Sequence, residues 1–249
     1  MKTSLTAALA ALTLTLFSCA ETDVVGKAAI ASFDTFTKSL GTKVTWLEAD
    51  GAFVLESPAG DKLAIAKDFA RDNGMSSMGA ADSKAPVAKM ESPDFELEFE
   101  AAPFIAAGLD PSKLPASDTA QYLVEEGMFM IHFDVGSTQF TAIPSSAATV
   151  QGQLLQTFEQ ILATYRDRIG YHEQFDHYGL ALGEGNMVEW AKDPAKNDKD
   201  FVFVLNPEPL VKAGLDPAKL TGWTLGKIKV KDAGGQTSEV EKLLKPFNL

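Results

Sequence analysis

The residues that could do chemistry are few. On an extended strand, the stretch MFMIHFD at 128–134 puts Met128, Met130, His132 and Asp134 on one face and Phe129, Ile131 and Phe133 on the other. Thioether and imidazole side by side suit a soft cation such as Cu(I). They also suit an apolar ligand or partner, or plain packing, because Met fills irregular gaps. Met128, Met130 and His132 are therefore the candidate ligand- or partner-binding residues. No metal or other cofactor is expected.

Two other stretches carry flawed signals. HEQFDH, His172–His177, has nearly the zinc-protease HExxH spacing, but its second His comes one residue late. On a helix, positions i and i+5 lie about 140° apart, so the pair cannot face one metal. GEGNMV at 183–188 opens like a dinucleotide loop, yet Val188 stands where the third Gly is needed and no βαβ pattern surrounds it. A hairpin turn is the expectation there. With no G-x-S-x-G and no motif partners for the three His residues, no catalytic residue is expected and the chain is read as non-enzymatic.

The N-terminus has a clearer meaning. Lys2, an apolar run from Leu5 to Phe17 and small residues after it form a secretory signal. Leu16-Phe17-Ser18-Cys19 resembles the lipobox of bacterial lipoproteins. That resemblance covers the signal only, and it implies a diacylglycerol group and an amide-linked acyl chain on Cys19. Cys19 is the only cysteine, so the chain can form no internal disulfide. Two or more acyl chains hold a protein stably at a membrane, where one binds marginally. Ala20 follows the Cys, and in many diderm bacteria that favours outer-membrane sorting over inner-membrane retention. The expected location is therefore the cell envelope, outer membrane favoured.

The formal net charge is −12, and removing residues 1–18 removes Lys2 and no acid, giving −12 − 1 = −13. No basic patch with interleaved aromatics exists, so nucleic acid is not an expected partner. The expected partners are the membrane, through the anchor, and an unknown protein or apolar ligand.

The elements that position these residues come from a repetition. Residues 94–114, DFELEFEAAPFIAAGLDPSKL, match 200–220, DFVFVLNPEPLVKAGLDPAKL, at ten of twenty-one positions. Residues 32–68 match 157–193 without gaps, with Phe33 against Phe158 and Trp46 against Tyr171. Residues 69–93 are then an insertion, poor in large apolar side chains but carrying Met75, Met78 and Met90. That composition predicts a mobile loop lying over the Met128–Met130–His132 face.

Within each unit, Pro103/Pro209, Gly108/Gly214 and Asp110-Pro111/Asp216-Pro217 predict a short helix, a left-handed stop and a restart. Amphipathic helices are expected over 28–40 and 147–169. Three strands are expected between 42 and 68, divided by Asp50-Gly51 and Ala59-Gly60-Asp61. A fourth is FELEFE, and further strands are MFMIHFDV and GKIKVKD. A last helix is expected over 238–245, where GKIKVKD is matched to MFMIHFDV.

The expected fold class is α+β: two diverged tandem repeats, each an amphipathic helix with an antiparallel meander and a short corner. The expected divisions are 1–18 signal, 19–26 tether, 27–144 first unit and 145–249 second unit. The expected function is a lipid-anchored binding or assembly module, or else a carrier holding an apolar molecule in a cleft between the units.

Overall fold

A computed structural model describes residues 25–36, 38, 44–57, 59–69, 90, 93–135, 145–194, 201–231 and 237–246. The fold is mixed α+β and rich in sheet, with two six-stranded antiparallel sheets. Helix α1 (residues 25–36) starts just inside the expected tether. It precedes β1 (Val44–Leu47), β2 (Ala52–Glu56), β3 (Lys62–Ala66), β4 (Phe95–Glu100), α2 (Ala101–Ala106), β5 (Ala120–Glu125) and β6 (Met128–Phe133). Then come α3 (Val150–Thr164), β7 (Ile169–His172), β8 (His177–Gly183), β9 (Asn186–Ala191), β10 (Phe201–Leu205), α4 (Pro207–Lys212), β11 (Thr224–Lys231) and β12 (Thr237–Pro246).

The first sheet runs β1-β2-β3-β4-β6-β5, and the second, from its other edge, runs β7-β8-β9-β10-β12-β11. The strand order is the same. The register is the same too: Leu47↔Ala52, Val54↔Ala64 and Lys62↔Glu98 recur as His172↔His177, Gly179↔Glu189 and Met187↔Val204. A one-residue slip would turn every side chain to the wrong face, so the buried pattern enforces this pairing.

One expected element is corrected. Residues 237–246 are strand β12, not a helix, and they pair with β11 along its whole length, Lys231↔Thr237 to Thr224↔Leu244. Val240, Leu243 and Leu244 have helical spacing, but Gly234-Gly235 between the two strands is a hairpin signal. β12, not β11, therefore occupies the place of β6. Leu205↔Leu243 and Val204↔Leu244 answer Phe99↔Phe129 and Glu98↔Met130. Strand β5, with no expected counterpart in the sequence, takes the edge.

The helices exchange partners. α1 packs its aromatic face on the second sheet, with Phe33 against Trp190 at 5.4 Å and Phe36 against Phe201 at 5.3 Å. Ser32 Oγ donates to the carbonyl of Ala191 at 2.6 Å. α3 packs against β1, and Tyr165 at its end meets Phe69, which meets Phe95. Phe33 and Phe158 stack on each other at 3.8 Å between the helices. The sheets touch directly where Phe99 meets Phe203 edge-on at 5.0 Å. One continuous core results, and burying each such ring contributes about 1.5–3 kcal/mol.

The corners form as their sequence demands. Gly108 and Gly214 both have φ of 101°, and Asp110 and Asp216 cap the restarts by accepting from the N–H groups of Ser112 and Ala218. The corners also grip each other. Asp110 N–H donates to Ala213 O and Asp216 N–H donates to Ala107 O, both at 2.8 Å. Two polar ties reinforce the junction: Lys245 Nζ to Asp61 at 2.6 Å, and Asn186 Nδ2 to Tyr122 Oη at 2.8 Å.

A Cβ on Gly108 would sit 2.8 Å from the carbonyl oxygen of Gly214, and the reverse holds equally. Gly108→Ala and Gly214→Ala should each lower the unfolding free energy by about 2–4 kcal/mol, from left-handed strain plus the forced separation. Gly51→Ala, with φ of 59° and no atom within 4 Å, should cost only about 1 kcal/mol. Chemical denaturation separates the two cases, and equal losses at Gly51 and Gly108 would refute the close approach.

Candidate functional site

Each sheet buries one face in the common core and turns the other outward. In the first sheet, Phe53, Leu55, Leu63, Ile65, Phe95, Leu97, Phe99, Phe129, Ile131 and Phe133 face in. Alternation sends their neighbours out, and there they line an open groove of about 630 Å³. Its floor is small and apolar: Ala52, Val54, Ala64 and Ala66. Met90 and Met130 wall one end beside His132. Five carboxylates, Asp50, Glu56, Glu96, Glu98 and Glu125, share the groove with one ammonium, Lys62.

The charged residues hold one another in place. Lys62 Nζ lies 2.9 Å from Glu98 Oε1, across the Lys62↔Glu98 register pair. The hydrogen bond that Lys62 donates to Glu98 raises the Lys62 pKa above its ordinary value despite burial, and the charges of Glu98, Glu56 and Glu96 add to the rise. His132 Nε2 lies 3.4 Å from Glu96 Oε2. Met90 reaches the groove because its backbone N–H donates to Gln121 Oε1 at 2.8 Å, and Gln121 stands opposite His132 on β5.

The candidate residues Met130 and His132 thus lie in the groove, while Met128 shares their face at the strand's start. Met75, Met78 and Cys19 lie outside the described residues, as does most of the insertion. Of the insertion's described residues, Met90 and Pro93 line the groove with Met130 and His132, while Phe69 is buried in the core. The larger space lies on the first unit alone and not in the expected cleft between the units. The inner faces are filled by the Phe99–Phe203 and Phe33–Phe158 contacts. A smaller cavity of about 230 Å³ does lie between the units, lined by Asp61, Glu100 and Phe104 of the first and by Trp223 and Lys245 of the second, with the Lys245 ammonium over the Phe99 and Trp223 rings.

The outer face of the second sheet is closed. Gln174, in the β7–β8 turn, donates to Lys227 O and accepts from Lys229 N–H, both at 3.2 Å. That side chain joins the β7–β8 turn to β11, the opposite edge strand, and Ile228 is buried. Inside lies a cluster the sequence reading missed. His172 Nδ1 meets Glu189 Oε1 at 2.5 Å, and His177 Nδ1 lies 3.5 Å from Oε2.

Sequence reasoning dismissed the two His residues on helix geometry, but the hairpin pairs them directly and β9 supplies the acid. The available signal was Glu189 between Val188 and Trp190, a carboxylate in an otherwise apolar strand. Both imidazoles aim Nδ1 at the carboxylate. Among the described residues, no group of three or more His, Cys, Asp or Glu is arranged to hold a metal ion.

Buried charges set a pH dependence. Burial alone would raise the Glu189 pKa, but the hydrogen bond with His172 and the nearby His177 ring bring it below the usual range. The Glu189 hydrogen bond raises His172 against its own desolvation. The His172 contribution is full below about pH 6.5 and is lost as pH rises through its higher folded value. The Glu189 contribution is present above about pH 4.5 and is lost as pH falls through its lower folded value.

Asp94, buried at the head of β4 with its carboxylate accepting from Val135 N–H at 2.8 Å, is pushed up to about 7 chiefly by desolvation. A raised acid costs stability when ionised, so this penalty grows as pH climbs from about 4 to 7. Thermal unfolding should therefore show greatest stability near pH 4–5 and a decline toward pH 8. Asp94→Asn should stabilise strongly at pH 8 and much less at pH 5. Glu189→Gln should destabilise by about 3–5 kcal/mol near pH 5.5, by stranding a buried imidazolium. A flat profile for wild type, or equal effects of Asp94→Asn at both pH values, would contradict these assignments. Comparison with known proteins finds no matching family model, no similar curated protein and no similar solved structure.

Proposed function

We propose that the chain is a lipid-anchored exported binding module whose ligand contacts are made on the outer face of the first sheet. One observation carries this reading. Of two sheets with the same strand order and register, one closes its outer face with Gln174 and the other leaves a 630 Å³ groove open. The volume falls in the range of small-molecule sites. Duplication of one ancestral unit supports the comparison: matched pairs keep their register, and the corners exchange matched hydrogen bonds. Matched residues touching each other, as Phe33 and Phe158 do, is what an approximate twofold axis produces.

The carrier reading, with an apolar molecule held between the units, has the smaller cavity of about 230 Å³ in its support. Anchoring follows from the Leu16–Cys19 motif. No helix among the described residues is long and apolar enough to cross a membrane, which is compatible with a lipid anchor.

Two measurements test the reading. Cys19→Ser should abolish azido-fatty-acid labelling and leave unprocessed precursor in cells, whereas unchanged labelling and processing would remove the anchor from the proposal. Ala64→Trp should fill the groove floor. Native mass spectrometry of the purified full chain should then lose any copurifying small molecule while the melting temperature stays within a few degrees. A retained adduct would place the ligand elsewhere.

A further inference from the structure

We propose that the groove on the first sheet binds an aliphatic oligoamine, its ammonium groups held by the carboxylates and its methylene chain laid on the alanine and methionine floor. This rests on the reading that the groove is the ligand site.

The charge of the groove points to a cation. Five carboxylates face one ammonium, a formal balance of −4 with His132 neutral. The fold does not require those charges. At the matched positions of the second sheet, Glu56, Lys62, Glu96 and Glu98 are replaced by Ala181, Met187, Val202 and Val204. Apolar residues there suit the same strand pairing. Lys62 already shows what the groove does to an ammonium: it sits 2.9 Å from Glu98, and three carboxylates favour its charged form.

The groove points to an organic cation rather than a metal ion. A hard divalent ion needs six or more oxygens drawn tightly around one point. Here Glu96 and Glu98 stand two residues apart on one strand, about 6.6–6.8 Å along it. Ammonium groups separated by three or four methylenes match that spread. The space between the charges is walled by Ala64, Ala66, Val54 and Met130, a surface for methylenes and not for water. A helical peptide, about 10–12 Å across with its side chains, calls for a wider trough than a 630 Å³ groove.

The groove's mouth has its own cause. Gln174, which stitches the second sheet shut, corresponds in the matched register to Ala49, which lines the groove. A methyl group reaches no opposite strand, so the first sheet stays open.

The test is calorimetric titration of the purified full chain with spermidine at 0.15 M salt, where charges more than about 8 Å apart are screened. Spermidine should bind. Glu56→Gln combined with Glu96→Gln should weaken it about tenfold or more, and Ala64→Trp should abolish it. Lys62→Met should tighten it several-fold, because the resident ammonium competes for the same carboxylates. A structural role for Lys62 alone would not move affinity upward.

Two results would overturn the proposal. If spermidine fails to bind while Ala64→Trp still strips the copurifying molecule, the groove is the ligand site and the amine class is wrong. If spermidine binds but neither the glutamines nor Ala64→Trp changes its affinity, the attraction belongs to the acidic chain as a whole and not to the groove.

Discussion

The close approach of two glycine corners is the constraint on which the rest depends. At Gly108 and Gly214 the backbones come so near that no Cβ fits between them. The same contact lets Asp110 and Asp216 donate across to Ala213 and Ala107, satisfying backbone groups that would otherwise be stranded where two short helices stop. Each corner follows directly on the fourth strand of its sheet, so the grip fixes how β4 and β10 stand to each other. Phe99 and Phe203 then meet edge-on, and further along the strands helices α1 and α3 fill the space. Because α1 covers the second sheet and α3 packs on β1 of the first as well as on Trp190 of the second, neither half can bury its own inner face alone. The structure is therefore one cooperative core and not two independent ones.

Once the inner faces are committed, the outer faces are where the two halves can differ. The second sheet wraps until Gln174 joins the β7–β8 turn to β11 and encloses Glu189 with its two histidines. A buried charge set of this kind is a weak contributor to stability but a strong one to specificity of register, since slipping β9 by one residue would thrust Glu189 into the aromatic core. The first sheet spends the same positions on alanines, glutamates and a lysine. Its outer face is wet, half-buried and open.

Much of the fold was legible in the sequence because local chemistry dictates it. The corner positions announce a stop and a restart by their Gly, Asp and Pro residues, and both glycines adopt the left-handed conformation expected of them. The alternation of FELEFE gave its buried face correctly. Two things were hidden. β12 has apolar residues at helical spacing, and only its long-range pairing with β11 makes it a strand. The exchange of helices between sheets leaves no local trace at all, since Phe33 and Phe36 look the same whichever sheet they cover. The candidate site was half legible: alternation placed Met130 and His132 together, but the glutamates of β4 looked like plain solvent-face residues. Only the sheet brings Glu96 and Glu98 beside Lys62 and His132.

The comparison of matched positions separates what packing demands from what it merely permits. Met128, Met130 and His132 answer to Lys242, Leu244 and Pro246, so their types are not set by the strand. Phe129 answers to Leu243, large and apolar in both halves, because that side faces the core. Where inward positions keep their character and Glu56, Lys62, Glu96 and Glu98 stand against Ala181, Met187, Val202 and Val204 outside, stability is a poor reason for the change. Like charges gathered on one face repel, and Lys62 offsets only part of that repulsion. That cost, absent at the four matched positions of the other sheet, is one that the proposed cationic ligand would offset.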